Sequence, residues 1–152
     1  MTGVDAHLDA VRARFRRLTP EQAHTAARTG DAILVDTRPE DRRRTEGGIP
    51  GALVVERNHL EWRCDPASGG ALPEATGTDL RWVVFCDEGY ASSLAAQSLR
   101  TIGLRRATDM IGGFRAWRAA GLPVTAPTGP AVPVPGPGAA PPGAAAAPSG
   151  PA

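Results

Sequence analysis

No lysine occurs in the 152 residues; all 17 basic side chains are arginine. Alongside so much alanine, glycine and proline, this bias reads as a compositional habit and not as a functional signal. The 16 acidic residues leave a formal net charge of +1, so no surplus of either sign points to nucleic acid or to a membrane surface. Cysteine is scarce. Cys64 and Cys86 cannot build a disulfide framework at this length, and the spacings of a metal site are missing. Neither a metal nor an organic cofactor is expected. No window approaches the length of a membrane span, and the first twenty residues hold two aspartates and no apolar core, unlike a secretory signal. A soluble cytoplasmic protein with reduced thiols is the expectation. The length suffices for one domain with a real core.

The most informative stretch runs from Arg81 to Ile102. Trp82, Val83, Val84 and Phe85 form a continuous apolar run, which suits a central strand covered on both faces. The run stops at Cys86. Gly89 permits a sharp reversal of the backbone. Ser92 or Ser93 can cap the helix that follows, where Leu94, Ala95, Leu99 and Ile102 recur at helical spacing and Gly103 ends it. A cysteine at the carboxyl end of a parallel strand faces the amino end of the next helix, where unpaired N–H groups and a partial positive charge gather. Such a place favours a thiolate and can cradle an anion on the sulfur. A lone cysteine there also suits ordinary core packing as a small hydrophobe, so the pattern alone leaves both readings open.

Upstream, Val4, Leu8, Val11, Phe15 and Leu18 fall on one helical face, so residues 1–17 read as a leading amphipathic helix packed on the domain. Arg12, Arg14, Arg16 and Arg17 lie largely off that face and read as solvated charge. Thr19-Pro20-Glu21-Gln22 opens a second helix with a capping box and proline in the first turn; Gly30 closes it. A strand over Ala32–Val35 ends in Asp36-Thr37-Arg38-Pro39. Residues 39–46 read as a short exposed helix, and Ala52–Val55 as a third strand. Leu60 and Trp62 should reach the core from another short helix. Residues 65–79 form a loop rich in proline, serine and glycine. The last strand lies around Thr108–Ile111. Gly112-Gly113 then turns into a helix anchored by Phe114 and Trp117. Residues 125–152 carry no charge and little to bury, so they read as a disordered tail of polyproline character.

The loop CDEGYAS, the downstream IGGFRAW and the upstream VDTRPED and EGGIPGA occur in one order at suitable separations. Together they resemble a single-domain rhodanese, a sulfurtransferase family, over residues 18–124. The resemblance implies an α/β fold, with a central, mostly parallel sheet of about five strands and helices on both faces. It implies Cys86 as the catalytic residue, with Asp87, Glu88, Gly89, Tyr90, Ala91 and Ser92 as its loop. Asp36 and Arg38 match the family's Asp-x-Arg at a strand end. Asp36 lies near the mouth of the site, in a role that is structural before it is chemical. Arg57 and Arg63 come from the segment that flanks the site in the family; each either lies over the Cys86 loop or pairs with a nearby carboxylate. The family usually shows histidine where Gly48 stands. The GGxxAW helix packs beside the loop in the family.

The chemistry implied is sulfur transfer. Cys86 takes the sulfane sulfur of a small donor such as thiosulfate, mercaptopyruvate or a persulfide, then passes it to a thiol or other nucleophile, with a protein as one conceivable acceptor. No nucleic acid and no membrane enters. Asp87 and Glu88 next to the cysteine oppose an anionic donor, by a few kcal/mol at an effective dielectric of about 20, so a less charged or bulkier donor than thiosulfate is expected. The alternative is a catalytically quiet rhodanese-like module that binds a partner or senses oxidation. A phosphatase of this fold would need an arginine in the loop, and Asp87 to Ser93 contain none. Cys64 either resolves an oxidised Cys86 or is a partly buried bystander. His59 is weak as a base.

Overall fold

Three short, mainly apolar runs and the polar pair Thr108-Asp109 become four parallel strands: β1 (Ile33–Asp36), β2 (Leu53–Val54), β3 (Trp82–Phe85) and β4 (Thr108–Asp109). The structure is a computed structural model that describes residues 2–129. The strand order is β2-β1-β3-β4, and every pairing is parallel. Leu18 adds a fifth chain segment at the sheet edge through a one-residue parallel bridge to Met110. β3 is the axis of the sheet, pairing with β1 over four residues and buried along its whole length.

Strand side chains alternate between faces, and each face has its own helices. Leu34, Val83 and Phe85 point to one side, where α2 (Pro20–Arg28) and α6 (Gly113–Ala119) bring Ala23, Phe114 and Trp117. Val35, Trp82 and Val84 point to the other, against α4 (Leu60–Cys64) and α5 (Ala91–Thr101) with Leu60, Cys64, Ala95 and Leu99. The remaining helices are α1 (Val4–Arg12), which packs on α5, and α3 (Glu40–Glu46), which follows β1. Among the described residues no helix is long and apolar enough to cross a membrane.

The expected capping box is present: the Thr19 hydroxyl accepts from Gln22 N, and Gln22 Oε1 accepts from Thr19 N. Other expectations need correcting. The leading helix stops at Arg12, so Phe15 and Leu18 are not on it. Leu18 instead exchanges bonds with the sheet edge, its N–H donating to Asp109 O and its carbonyl accepting from Ile111 N, and a strand-like residue cannot continue a helix. Val4 is exposed. Trp62 is also exposed, because α4 is barely more than one turn and its buried face is set by Leu60 and Cys64 at i and i+4, with Trp62 opposite. Contact with the domain continues past Val124. Thr125 makes an antiparallel bridge with Gly48, and Thr128 N and Gly129 N both donate to Arg44 O. The rest of the expected tail, residues 130–152, lies outside the described residues.

Candidate active site

In the order β2-β1-β3-β4 the chain leaves β1 to one side and later returns to the other, so the carboxyl ends of β1 and β3 flank a switch point, where ligands of open parallel sheets bind. Asp36-Thr37-Arg38 leaves one strand there and Cys86 leaves the other. Cys86 is half-buried. Its Sγ accepts a hydrogen bond from Gly89 N at 3.2 Å. It lines a cavity of about 320 Å³ together with Thr37, Arg38, Pro39, Arg42, Arg57, Asp87, Glu88, Tyr90 and Ala91.

The loop is held from two directions. At its base, α6 starts directly underneath: Phe114 N donates to Cys86 O at 2.8 Å and Arg115 N to Asp87 O at 3.1 Å. This approach requires glycine. Gly113 has φ +63°, and a Cβ there would lie 2.5 Å from Cys86 O. From behind, two arginines converge on one carbonyl: Arg12 Nη2 and Arg17 Nη2 donate to Gly89 O at 2.7 and 2.9 Å. The carbonyls of Cys86, Asp87 and Gly89 are therefore all turned away from the cavity. A trans peptide points its N–H opposite to its carbonyl, so the amides of Asp87, Glu88 and Tyr90 face the other way. Of the loop amides, Gly89 N is the one that donates to the sulfur.

Ser92 and Ser93 do not cap α5, which is entered from Tyr90 with no side-chain cap. Both hydroxyls instead donate to Asp109 Oδ2, each at 2.8 Å. Buried Asp109 also accepts from Arg17 Nε at 2.8 Å and Nη2 at 3.0 Å, and Arg12 Nε donates to Ser93 Oγ at 3.0 Å. Two of the arginines expected to be solvated thus form the rear wall of the loop. No local signal marks them, since their partners lie 72 to 92 residues away.

Asp36 and Arg38 form a buried bidentate pair, with Arg38 Nε and Nη2 donating to the two carboxylate oxygens at 3.0 and 2.8 Å. Arg38 Nη2 also donates to Gly47 O at 2.8 Å, and its guanidinium lies 4.0 Å from the Phe114 ring centroid. Asp36 is thus tied into the frame of the site, and it does not line the cavity. Arg57 reaches the cavity edge with Nη1 bonded to both oxygens of Glu61 at 3.0 Å. Burial pushes the Glu61 carboxyl up, but the Ser98 hydroxyl, the backbone and Arg57 outweigh it and hold Glu61 below the ordinary range. Arg63 does not line the cavity: its Nη1 donates to Gly70 O at 2.7 Å. Arg42, which the sequence reading did not single out, lines the cavity.

Of the two loop carboxylates, only Glu88 is exposed. Asp87 is paired with Arg115 Nε at 2.8 Å, which weakens its opposition to an anionic donor. Tyr90 is exposed, lines the cavity, and sits under the Arg12 guanidinium at 5.7 Å. Cys64 is fully buried in the α4–α5 core, and burial pushes its thiol up to about 12, with Glu61 adding to the rise. His59 is exposed beside Glu56 and does not line the cavity. At Gly48, Thr125 takes up the space that a side chain would occupy: a Cβ there would meet Thr125 Oγ1 at 3.1 Å, and that hydroxyl accepts from Gly48 N.

A family model of the rhodanese-like domain matches residues 19–120. The thiosulfate sulfurtransferase GlpE of Actinobacillus succinogenes is 30% identical over 110 residues, covering 72% of this chain and 90% of that protein. GlpE of Stutzerimonas stutzeri is 33% identical over 107 residues, covering 68% and 85%. Among solved structures, a Rhodopseudomonas palustris protein of unknown function, described as a possible tyrosine phosphatase, superposes with a TM-score of 0.73 at 34% identity, covering 82% of this chain and 95% of that one. The human single-domain sulfurtransferase TSTD1 superposes with a TM-score of 0.58 at 27% identity, covering 68% and 95%. The cysteine loop at the switch point of a parallel sheet, and the family match across residues 19–120, place this chain in the rhodanese-like domain family.

Proposed function

We propose that this chain is a sulfurtransferase that moves a sulfane sulfur through a persulfide on Cys86. The observation that carries the reading is the half-buried Sγ, bonded to the Gly89 amide at the mouth of an open cavity. The Cys86 thiolate attacks the outer sulfur of the donor. The new Sγ–S bond forms as the donor's S–S or C–S bond breaks, and the bonding pair leaves with the stripped donor, which is sulfite when the donor is thiosulfate. The outer sulfur of the persulfide carries the negative charge, and the amides of Asp87, Glu88, Gly89 and Tyr90 stabilise it. A thiolate acceptor then attacks that sulfur and Cys86 leaves as thiolate. Two half-reactions through a covalent intermediate give ping-pong kinetics. Arg57 and Arg42 supply cationic edges for the donor's anionic end. The preference for a donor less charged or bulkier than thiosulfate now rests chiefly on Glu88.

The R. palustris neighbour's description raises phosphoryl transfer as a second reading. That chemistry needs cations aimed at the transferring group, and here the loop from Asp87 to Ser93 has no arginine, while Arg12 and Arg17 spend their donors on its back. Mass spectrometry after incubation with thiosulfate or mercaptopyruvate tests the sulfur reading. An adduct of about 32 Da, one sulfur atom, is expected on Cys86 and absent in Cys86→Ser. Cys64→Ala should keep full turnover, since a buried protonated thiol resolves nothing. Full transfer by Cys86→Ser would end the proposal, and an unmodified Cys86 would leave a quiet binding or redox-sensing module as the reading.

A further inference from the structure

Below the loop, three buried polar atoms gather with no hydrogen-bond partner: Arg38 Nη1, Glu46 Oε2 and Asp87 Oδ1. Arg38 Nη1 lies 3.7 Å from the glutamate oxygen and 3.9 Å from the aspartate oxygen, and the three side chains are 1%, 11% and 17% exposed. Their other atoms are engaged. Arg115 clamps both carboxyl groups, with Nε on Asp87 Oδ2 at 2.8 Å and Nη2 near Glu46 Oε1 at 3.5 Å. Arg42 Nη1 stands 3.4 Å from Glu46 Oε1. Arg38 already has its own full counter-charge in Asp36. Two ionised carboxylates would therefore leave two buried oxygens beside Arg38 Nη1 with no hydrogen bond. One proton between them turns that deficit into a charge-assisted hydrogen bond.

We propose that Glu46 and Asp87 share a single proton, and that Glu46 is through it a positioning residue for the Cys86 loop. Glu46 closes α3, whereas Asp87 follows the nucleophile directly, so the shared proton ties the loop to the strand–helix connection that carries Arg38. The surroundings of the two carboxyls agree. Hydrogen bonding with Asp87, and then burial, raise Glu46 above its ordinary value; burial pushes Asp87 up, but the bond from Glu46 and Arg115 outweigh it and leave Asp87 lowered. Of the two carboxyls, Glu46 is therefore the one that favours the proton. The facing groups are Arg38 from the β1–α3 connection, Arg42 on α3, Arg115 on α6, and Glu88 on the loop, whose charge reaches Arg115. As pH rises through the pair's titration, the proton leaves to solvent, the two carboxylates repel, and one negative charge is added beneath the sulfur site. Reactivity at Cys86 then falls relative to a loop that keeps the bond.

This inference rests on the sulfur-transfer reading for its consequence, and its test does not use sulfur transfer. Carbon-13 NMR of the side-chain carboxyls, followed against pH in the full chain, reads the proton directly. Alkylation of Cys86 by iodoacetamide reads the loop. One carboxyl, lost in Glu46→Gln, should titrate above the ordinary glutamate range. The wild-type alkylation profile should bend at that same pH. Glu46→Gln, whose amide still donates to Asp87, should remove the bend and alkylate about three- to tenfold faster on its alkaline side, a loss of one charge at intermediate dielectric. Glu46→Ala should also lose the bend, but with no donor left for Asp87 it should gain less than Glu46→Gln. Ordinary titration of both carboxyls, or coincident wild-type and Glu46→Gln profiles, overturns the proposal. A chain that shows the shared proton but forms no persulfide keeps this inference and loses the sulfur reading.

Discussion

Arg17 offers the sharpest test of how the loop is held. It makes two hydrogen bonds to Asp109 and one to Gly89 O, and the two ion-pair side chains are 15% and 0% exposed. In Arg17→Met the alkyl stem survives and the guanidinium goes. Asp109 then keeps only the Ser92 and Ser93 hydroxyls against a buried negative charge. Removing one partner of a buried pair costs about 3–5 kcal/mol; because Arg17 is partly open to water, about 3 kcal/mol is expected. With a urea slope of roughly 1.5–2 kcal/mol per molar, the midpoint should fall by about 1.5–2 M. Tryptophan fluorescence, with Trp82 and Trp117 buried on opposite faces of the sheet, follows the transition. Arg44→Met is the control. It removes an i,i+4 pair with Glu40 whose side chains are 34% and 66% exposed, and should cost under about 0.5 kcal/mol. A double-mutant cycle with Asp109→Asn should return a coupling of about 2 kcal/mol or more. If Arg17→Met loses no more than Arg44→Met, the rear wall does not hold the loop and the reasoning fails.

Two further outcomes are expected. Gly113→Ala places a methyl 2.5 Å from Cys86 O at φ +63°, so it should destabilise the fold by about 1–3 kcal/mol and slow persulfide formation more than Gly121→Ala, which meets nothing within 4 Å; thermal melts and single-turnover rates compare them. Glu61 has a folded value held below its ordinary 4.5, so its contribution is present above that value and is lost as pH falls through the lower folded value; Glu61→Gln should flatten stability against pH below about 4.5, and an unchanged acid limb in urea titrations would refute the assignment.

Much of this was legible from residue patterns. The apolar run before Cys86 suited a covered strand, the Thr19–Gln22 box marked one helix start, and the Asp-x-Arg at the end of β1 pointed to a structural role for Asp36. What stayed hidden depends on distance. Arg12 and Arg17 look like ordinary helix-surface charge until the fold brings Gly89 to them. Ser92 and Ser93 look like caps because capping is local chemistry, whereas their real acceptor, Asp109, is 16 and 17 residues away. Arg63 sits at the right place in the chain, but α4 turns it toward Gly70. Periodicity carried α1 too far, because a helical face cannot announce that Leu18 is wanted by a sheet edge.

Every cation that steadies the sulfur loop is a guanidinium: Arg12 and Arg17 behind it, Arg38 and Arg115 below. A protein that used ammonium groups for these tasks could be silenced by acetylation or by any amine-directed reagent. Here such chemistry finds no side chain to modify. Labelling with amine-reactive dyes should accordingly leave the proposed persulfide chemistry untouched, whereas dicarbonyl reagents that attack guanidinium groups should disable it.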